Sequence, residues 1–155
     1  MKWRGWTLAL LLVCSLTPFA IAQSGAPDRY VPRLGDVMSA VELRHMKLSL
    51  AASAQNWERA TYELGKIKAG LIEAASLYPG VPVTSATTMA TPVQSIADAI
   101  DAKDSRRFAK SFGELTDACN ACHQSIGRGF IVVRAPTASP FSYRLFSNPV
   151  EQKPH

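Results

Sequence analysis

Across residues 37–54 apolar side chains recur at steps of three and four. Met38, Val41, Leu48 and Ala52 fall on one line, with a single polar residue, His45, among them. Such steps keep side chains on one face of a helix of 3.6 residues per turn, so the spacing predicts a first helix, with Asp36 as its cap. Asn56 opens a stronger pattern, Trp57, Ala60, Leu64, Ile67, Leu71, Ala74 and Tyr78, which Pro79 and Gly80 stop. Residues 79–91 read P-G-V-P-V-T-S-A-T-T-M-A-T, the composition of a crossover loop. Thr91, Pro92 and Gln94 then form a capping box with proline at the first helical position. The third helix predicted there is short, carrying Val93, Ile96, Ala97 and Ile100 and ending near Ala102. Asp104 caps a fourth, whose face runs Phe108, Phe112, Leu115, Cys119, Cys122 and Ile126 until Gly127 and Gly129 end it.

Four amphipathic helices joined by two short links and one longer loop predict an all-α protein, an antiparallel four-helix bundle over residues 36–130. Residues 23–35, with Gly25, Pro27, Pro32 and Gly35, read as an extended leader. Residues 131–155 read as an irregular tail. The apolar run 130–133 should lie against the bundle, while 141–155 is too rich in proline and polar residues for a core element and reads as flexible.

The N-terminus changes the setting in which this bundle works. Lys2 and Arg4 precede an apolar run over 8–13, and Ala20-Ile21-Ala22 closes it, the form of a secretory signal cleaved before Gln23. The run is too short to span a bilayer comfortably. A lipoprotein signal acylated at Cys14 is the rival reading, weakened by the bulk of Val13. Cleavage after residue 22 would leave 133 of the 155 residues, enough for one domain with one core. Of the 17 basic residues Lys2 and Arg4 would leave, so 15 face 12 acidic ones, a balance that argues for no nucleic-acid partner. With no second long apolar run, the mature chain is expected to be periplasmic, without stable membrane insertion.

Candidate chemistry concentrates in C-N-A-C-H, residues 119–123. Two thiols and an adjacent imidazole at this spacing are the attachment pattern for c-type haem, the thiols adding across the vinyl groups and the imidazole binding iron. On a helix Cys119 and Cys122 share a side and His123 is rotated about 100° further. A thioredoxin-like pair would need a strand before it, and a zinc site a second pair of ligands, whereas His45 and His155 stand alone. A disulfide between Cys119 and Cys122 would be strained in a helix and would leave His123 unexplained.

With those residues, the chain resembles the class II c-type cytochromes, the cytochrome c prime group and its low-spin relatives. The likeness covers residues 36–129 in architecture and is specific in sequence at Cys119, Cys122 and His123. Residues 38–45, Asn56-Trp57 and 136–140 also look like a bacterial group of cytochrome c-like proteins. Cytochrome c prime carries an aromatic and then a basic residue three and four places after its haem histidine. Here those places hold Ile126 and Gly127, with Arg128 one further.

In an antiparallel bundle the start of the first helix lies beside the end of the last, which makes Met38 the leading distal candidate. The resemblance points the same way, since low-spin members of the class take a methionine from this region. Ordinary core packing is the alternative reading of Met38. His45, two turns on and about 10 Å along the axis, is the alternative ligand, with Met46 a weaker one. If none reaches iron, the site is five-coordinate and open to a small gas such as nitric oxide. Arg128 and Arg134 are minor candidates for the propionates, and Trp57, Tyr62 and Phe112 read as core or haem wall. The expected function is a periplasmic monohaem electron carrier with one covalent haem c per chain, serving periplasmic redox partner proteins. The alternative is a gas-binding haem protein. No convergent acid, base and nucleophile set indicates an enzyme. The resemblance also implies a possible homodimer through the outer faces of the first two helices.

Overall fold

The computed structural model describes residues 30–81, 83–141 and 146–147, with no side-chain detail for 83–88. The signal reading of 1–22 lies outside the described residues. Four helices follow one another, α1 (Leu34–Ser53), α2 (Trp57–Leu77), α3 (Val83–Asp101) and α4 (Ser105–Ser125), and among the described residues there is no strand. Helix α1 packs on α2, α2 on α3 and α3 on α4, while α1 and α4 touch only lightly. This all-helical arrangement is consistent with a four-helix bundle. No helix among the described residues is long and apolar enough to cross a membrane.

The faces expected from the spacing are those that pack. Val41 and Leu48 of α1, Leu64 and Ile67 of α2, Ile96 and Ile100 of α3, and Phe112 and Leu115 of α4 are buried together in one core. Gly70 lets α1 and α2 approach closely at this layer, because a Cβ there would lie 2.6 Å from Val41 Cγ2.

Two links share one construction. After α1, Gln55 at φ 54° donates to Ala52 O and Asn56 to Ala51 O; after α3, Lys103 at φ 52° donates to Ile100 O and Asp104 to Ala99 O. Each pair of bonds is a Schellman closure with a non-glycine in the left-handed region. The next residue caps the following helix at once: Asn56 accepts from Arg59 N, and Asp104 from Arg106 N and Arg107 N. A chain reversal in three residues leaves consecutive helices side by side and antiparallel.

Two boundaries and the tail differ from the sequence reading, and of the run 130–133, expected to lie against the bundle, only Val133 is buried while Phe130, Ile131 and Val132 are exposed. Helix α1 begins three residues early, with Arg33 rather than Asp36 at the N-cap position and no side-chain cap bond. Asp36 sits in the first turn, where a carboxylate faces the positive end of the helix dipole, and pairs with Arg33 at 3.5 Å. Helix α3 begins at Val83, so much of the expected crossover loop is helical and Pro92 is inside the helix. An interior proline forfeits one backbone bond and crowds the preceding turn, at about 3 kcal/mol. Burial of Met89, one turn earlier, works against that cost. Finally, the tail is not all loose. Phe146 is buried with Phe141 packed beside it, the Lys47 ammonium lies 5.5 Å from the Phe141 ring centroid, and the Arg59 guanidinium lies 4.1 Å from that of Phe146.

Candidate haem-attachment site

Helix α4 ends just beyond the motif by a Schellman closure. Gly127, at φ 70°, donates to Gln124 O, and Arg128 N donates to His123 O at 2.7 Å. The last turn therefore carries Cys119, Cys122 and His123, all half-buried, at the bundle end where α1 begins and α2 finishes. Tyr78, at the C-cap of α2, donates its hydroxyl to Pro32 O and ties these two ends together.

Here the weak α1 to α4 contact opens into a cavity of about 440 Å³. Met38, Val41 and His45 of α1 line it, together with Leu71 of α2 and Met89 of α3. Cys119, Cys122 and His123 complete the wall on α4, with Ile126, Arg128, Ile131 and Val133 beyond it. A space of this size with an apolar lining and a few polar groups is typical of cofactor sites. Both thiols are free. Burial first, and then the neighbouring Cys122, push the Cys119 thiol up to about 11, against a smaller opposite effect of a backbone hydrogen bond. A redox-active CxxC needs the reverse, a thiolate favoured by its surroundings.

His123 Nδ1 lies 2.9 Å from Ile131 O. A carbonyl only accepts, so Nδ1 carries the hydrogen and Nε2 keeps a free lone pair. His45 is bound differently. Its Nε2 lies 2.9 Å from Thr116 Oγ1, whose hydroxyl donates to Phe112 O at 2.8 Å, so Nε2 is the donor to Thr116. The ring also stacks on Phe112 at 4.3 Å between centroids. His45 thus lines the cavity while one of its nitrogens is committed to joining α1 to α4.

Burial pushes the pKa of His45 down to about 4 from an ordinary 6.5. Below pH 6.5 the unfolded chain takes up a proton that the folded chain refuses, so this contribution is intact above 6.5 and is lost as pH falls towards 4. Over that window the loss is about 3 kcal/mol. Urea unfolding at pH 7 and pH 4.5 should show a larger drop in the parent than in His45→Gln; equal drops would contradict a buried neutral imidazole.

Of the other residues singled out from sequence, Arg128 lines the cavity and is exposed, whereas Arg134 is exposed and away from it. Met46 is not in the lining. Phe112 is core and Trp57 packs edge-on to Phe108 at the other end of α4, but Tyr62 is exposed, with Arg44 and Lys66 over its ring. Sequence reasoning missed Met89, assigned to a loop because Pro92 looked like a helix start. It also missed Glu63, buried on α2 with Arg44 at 3.1 Å and Arg59 at 3.6 Å. Among the described residues, no group of three or more His, Cys, Asp or Glu is placed to hold a metal ion. A scan of family models finds no match to the chain, and searches of curated proteins and of solved structures find none either.

Proposed function

We propose that this chain is a periplasmic monohaem c-type cytochrome that carries electrons, with one haem bound through Cys119 and Cys122 and its iron held by His123 Nε2. The observation that carries the reading is the coincidence of C-N-A-C-H with the wall of an apolar cavity. The residues fit the group. Two unpaired thiols sit one helical turn apart, an imidazole is fixed in the tautomer that leaves Nε2 free, and Leu71, Val41 and Met89 supply an apolar surround. When bound, the haem would supply a one-electron ferric/ferrous couple; the protein's part is to hold, orient and bury it.

Met38 is the proposed distal ligand. It is half-buried in the cavity wall on α1, and its thioether has no bond that would have to be given up. His45 is the alternative, and its ligation by Nε2 would cost the bond to Thr116. The second reading is a five-coordinate protein that binds a small gas, favoured by the apolar lining. Export, redox partner proteins and a homodimer belong to the proposal on the sequence alone.

Absorption spectra of the purified protein, ferric and ferrous, with and without carbon monoxide, test the assignment. A carrier with a firm sixth ligand gives a low-spin ferrous spectrum that carbon monoxide does not move. Ready binding of carbon monoxide would put the gas-binding reading in its place.

A further inference from the structure

Asn120 stands between the two motif cysteines, at a position thioether formation does not use. Its side chain nevertheless makes two hydrogen bonds to one residue of the tail. Nδ2 donates to Val133 O at 3.0 Å, and Val133 N donates to Oδ1 at 2.8 Å. An amide that both donates to and accepts from one residue's backbone imitates the pairing of a neighbouring strand, and so fixes the orientation of that backbone as well as its place. Two residues earlier in the same segment, Ile131 O is the acceptor for His123 Nδ1. Ile131 and Val132 are exposed and Val133 is buried. The segment is therefore anchored at Val133, by its burial and by the two bonds to the Asn120 amide, which alone fix the direction of its backbone.

We infer that Asn120 is a positioning residue: by clamping Val133 it holds the Ile131 carbonyl on His123 Nδ1 and so sets how strongly the imidazole donates to iron. The inference rests on the haem reading above. An acceptor on Nδ1–H raises the electron density of the ring and makes it a stronger ligand. Stronger donation favours ferric over ferrous iron. Loss of the clamp therefore raises the reduction potential for addition of one electron from an external reductant such as dithionite.

The test uses haem-loaded full-length protein, each sample first checked for thioether haem by its pyridine haemochrome. In Asn120→Ala, the amides of 131–134 should exchange hydrogen about tenfold faster. In a mediator titration the ferrous-to-ferric equilibrium should move about fivefold towards ferrous, or about 40 mV. Ala121→Ser, also between the cysteines, should leave both readouts unchanged. Val133→Pro removes the other donor and should raise the potential too, with the double variant shifting no further than the larger single, as expected for two ends of one interaction. Unchanged exchange in Asn120→Ala would overturn the inference, and so would faster exchange at an unchanged potential. Wild-type protein lacking thioether haem would remove the functional reading and the inference with it, a failure distinguished by the haemochrome of the parent.

Discussion

Replacing both motif cysteines, Cys119→Ala with Cys122→Ala, should abolish covalent haem: after periplasmic expression with the maturation machinery, no haem survives acid-acetone extraction on the chain. Each thiol would form one of the two bonds, so either single variant keeps one thioether and a reduced yield. The double variant should also lose structure. Without haem the apolar wall of this space of about 440 Å³ faces water, which weakens that end of the bundle. The cavity end must therefore close in or unfold when haem is absent. Hydrogen exchange should show this as faster exchange at the start of α1, the end of α4 and residues 131–133, while the Leu48, Ile96 and Leu115 layer stays protected. An unchanged amount of acid-resistant haem in the double variant would contradict the attachment scheme.

Outside the C-N-A-C-H motif, Met38→Ala should change the iron more than any other substitution in the cavity wall. Its thioether sits on α1 across the cavity from the motif, and a methionine ligand raises the potential relative to a weaker or absent one. The variant should lose the low-spin ferrous spectrum, bind carbon monoxide readily and fall in potential. His45→Ala should leave the spectrum in place and lower stability, because the bond to Thr116 and the stack on Phe112 go with the ring. Met89→Leu serves as the control on α3. An unchanged spectrum in Met38→Ala would remove that residue from the site, and a change in Met89→Leu would move the ligand to α3.

The helices with clean periodicity were legible because burial follows spacing. Leu64, Ile67, Phe112 and Leu115 are where steps of three and four place them. The caps Asn56 and Asp104 were equally legible, since each is a short acceptor side chain directly after a closed helix end and before an apolar run. Pro92 misled because a proline at a helix start and one inside a helix look the same locally; what decides is the burial of Met89, a tertiary fact. Asp36 misled in a smaller way, since an acidic residue favours the first turn as well as the cap. The motif residues could be named from sequence, and the juxtaposition of Met38 with them follows from antiparallel helices. The Asn120 clamp could not be read, because it depends on where an irregular segment crosses the end of α4. The bond of His45 to Thr116 joins residues 71 apart in the chain and carries no local signal.

The central claim is a haem covalently held by Cys119, Cys122 and His123, and the pyridine haemochrome of the wild-type protein, purified after periplasmic expression, tests it most directly. The account predicts a haem spectrum of the two-thioether type in protein that has been unfolded and stripped of non-covalent haem, at one haem per chain. A colourless protein, or haem that extracts completely into acid-acetone, would contradict it.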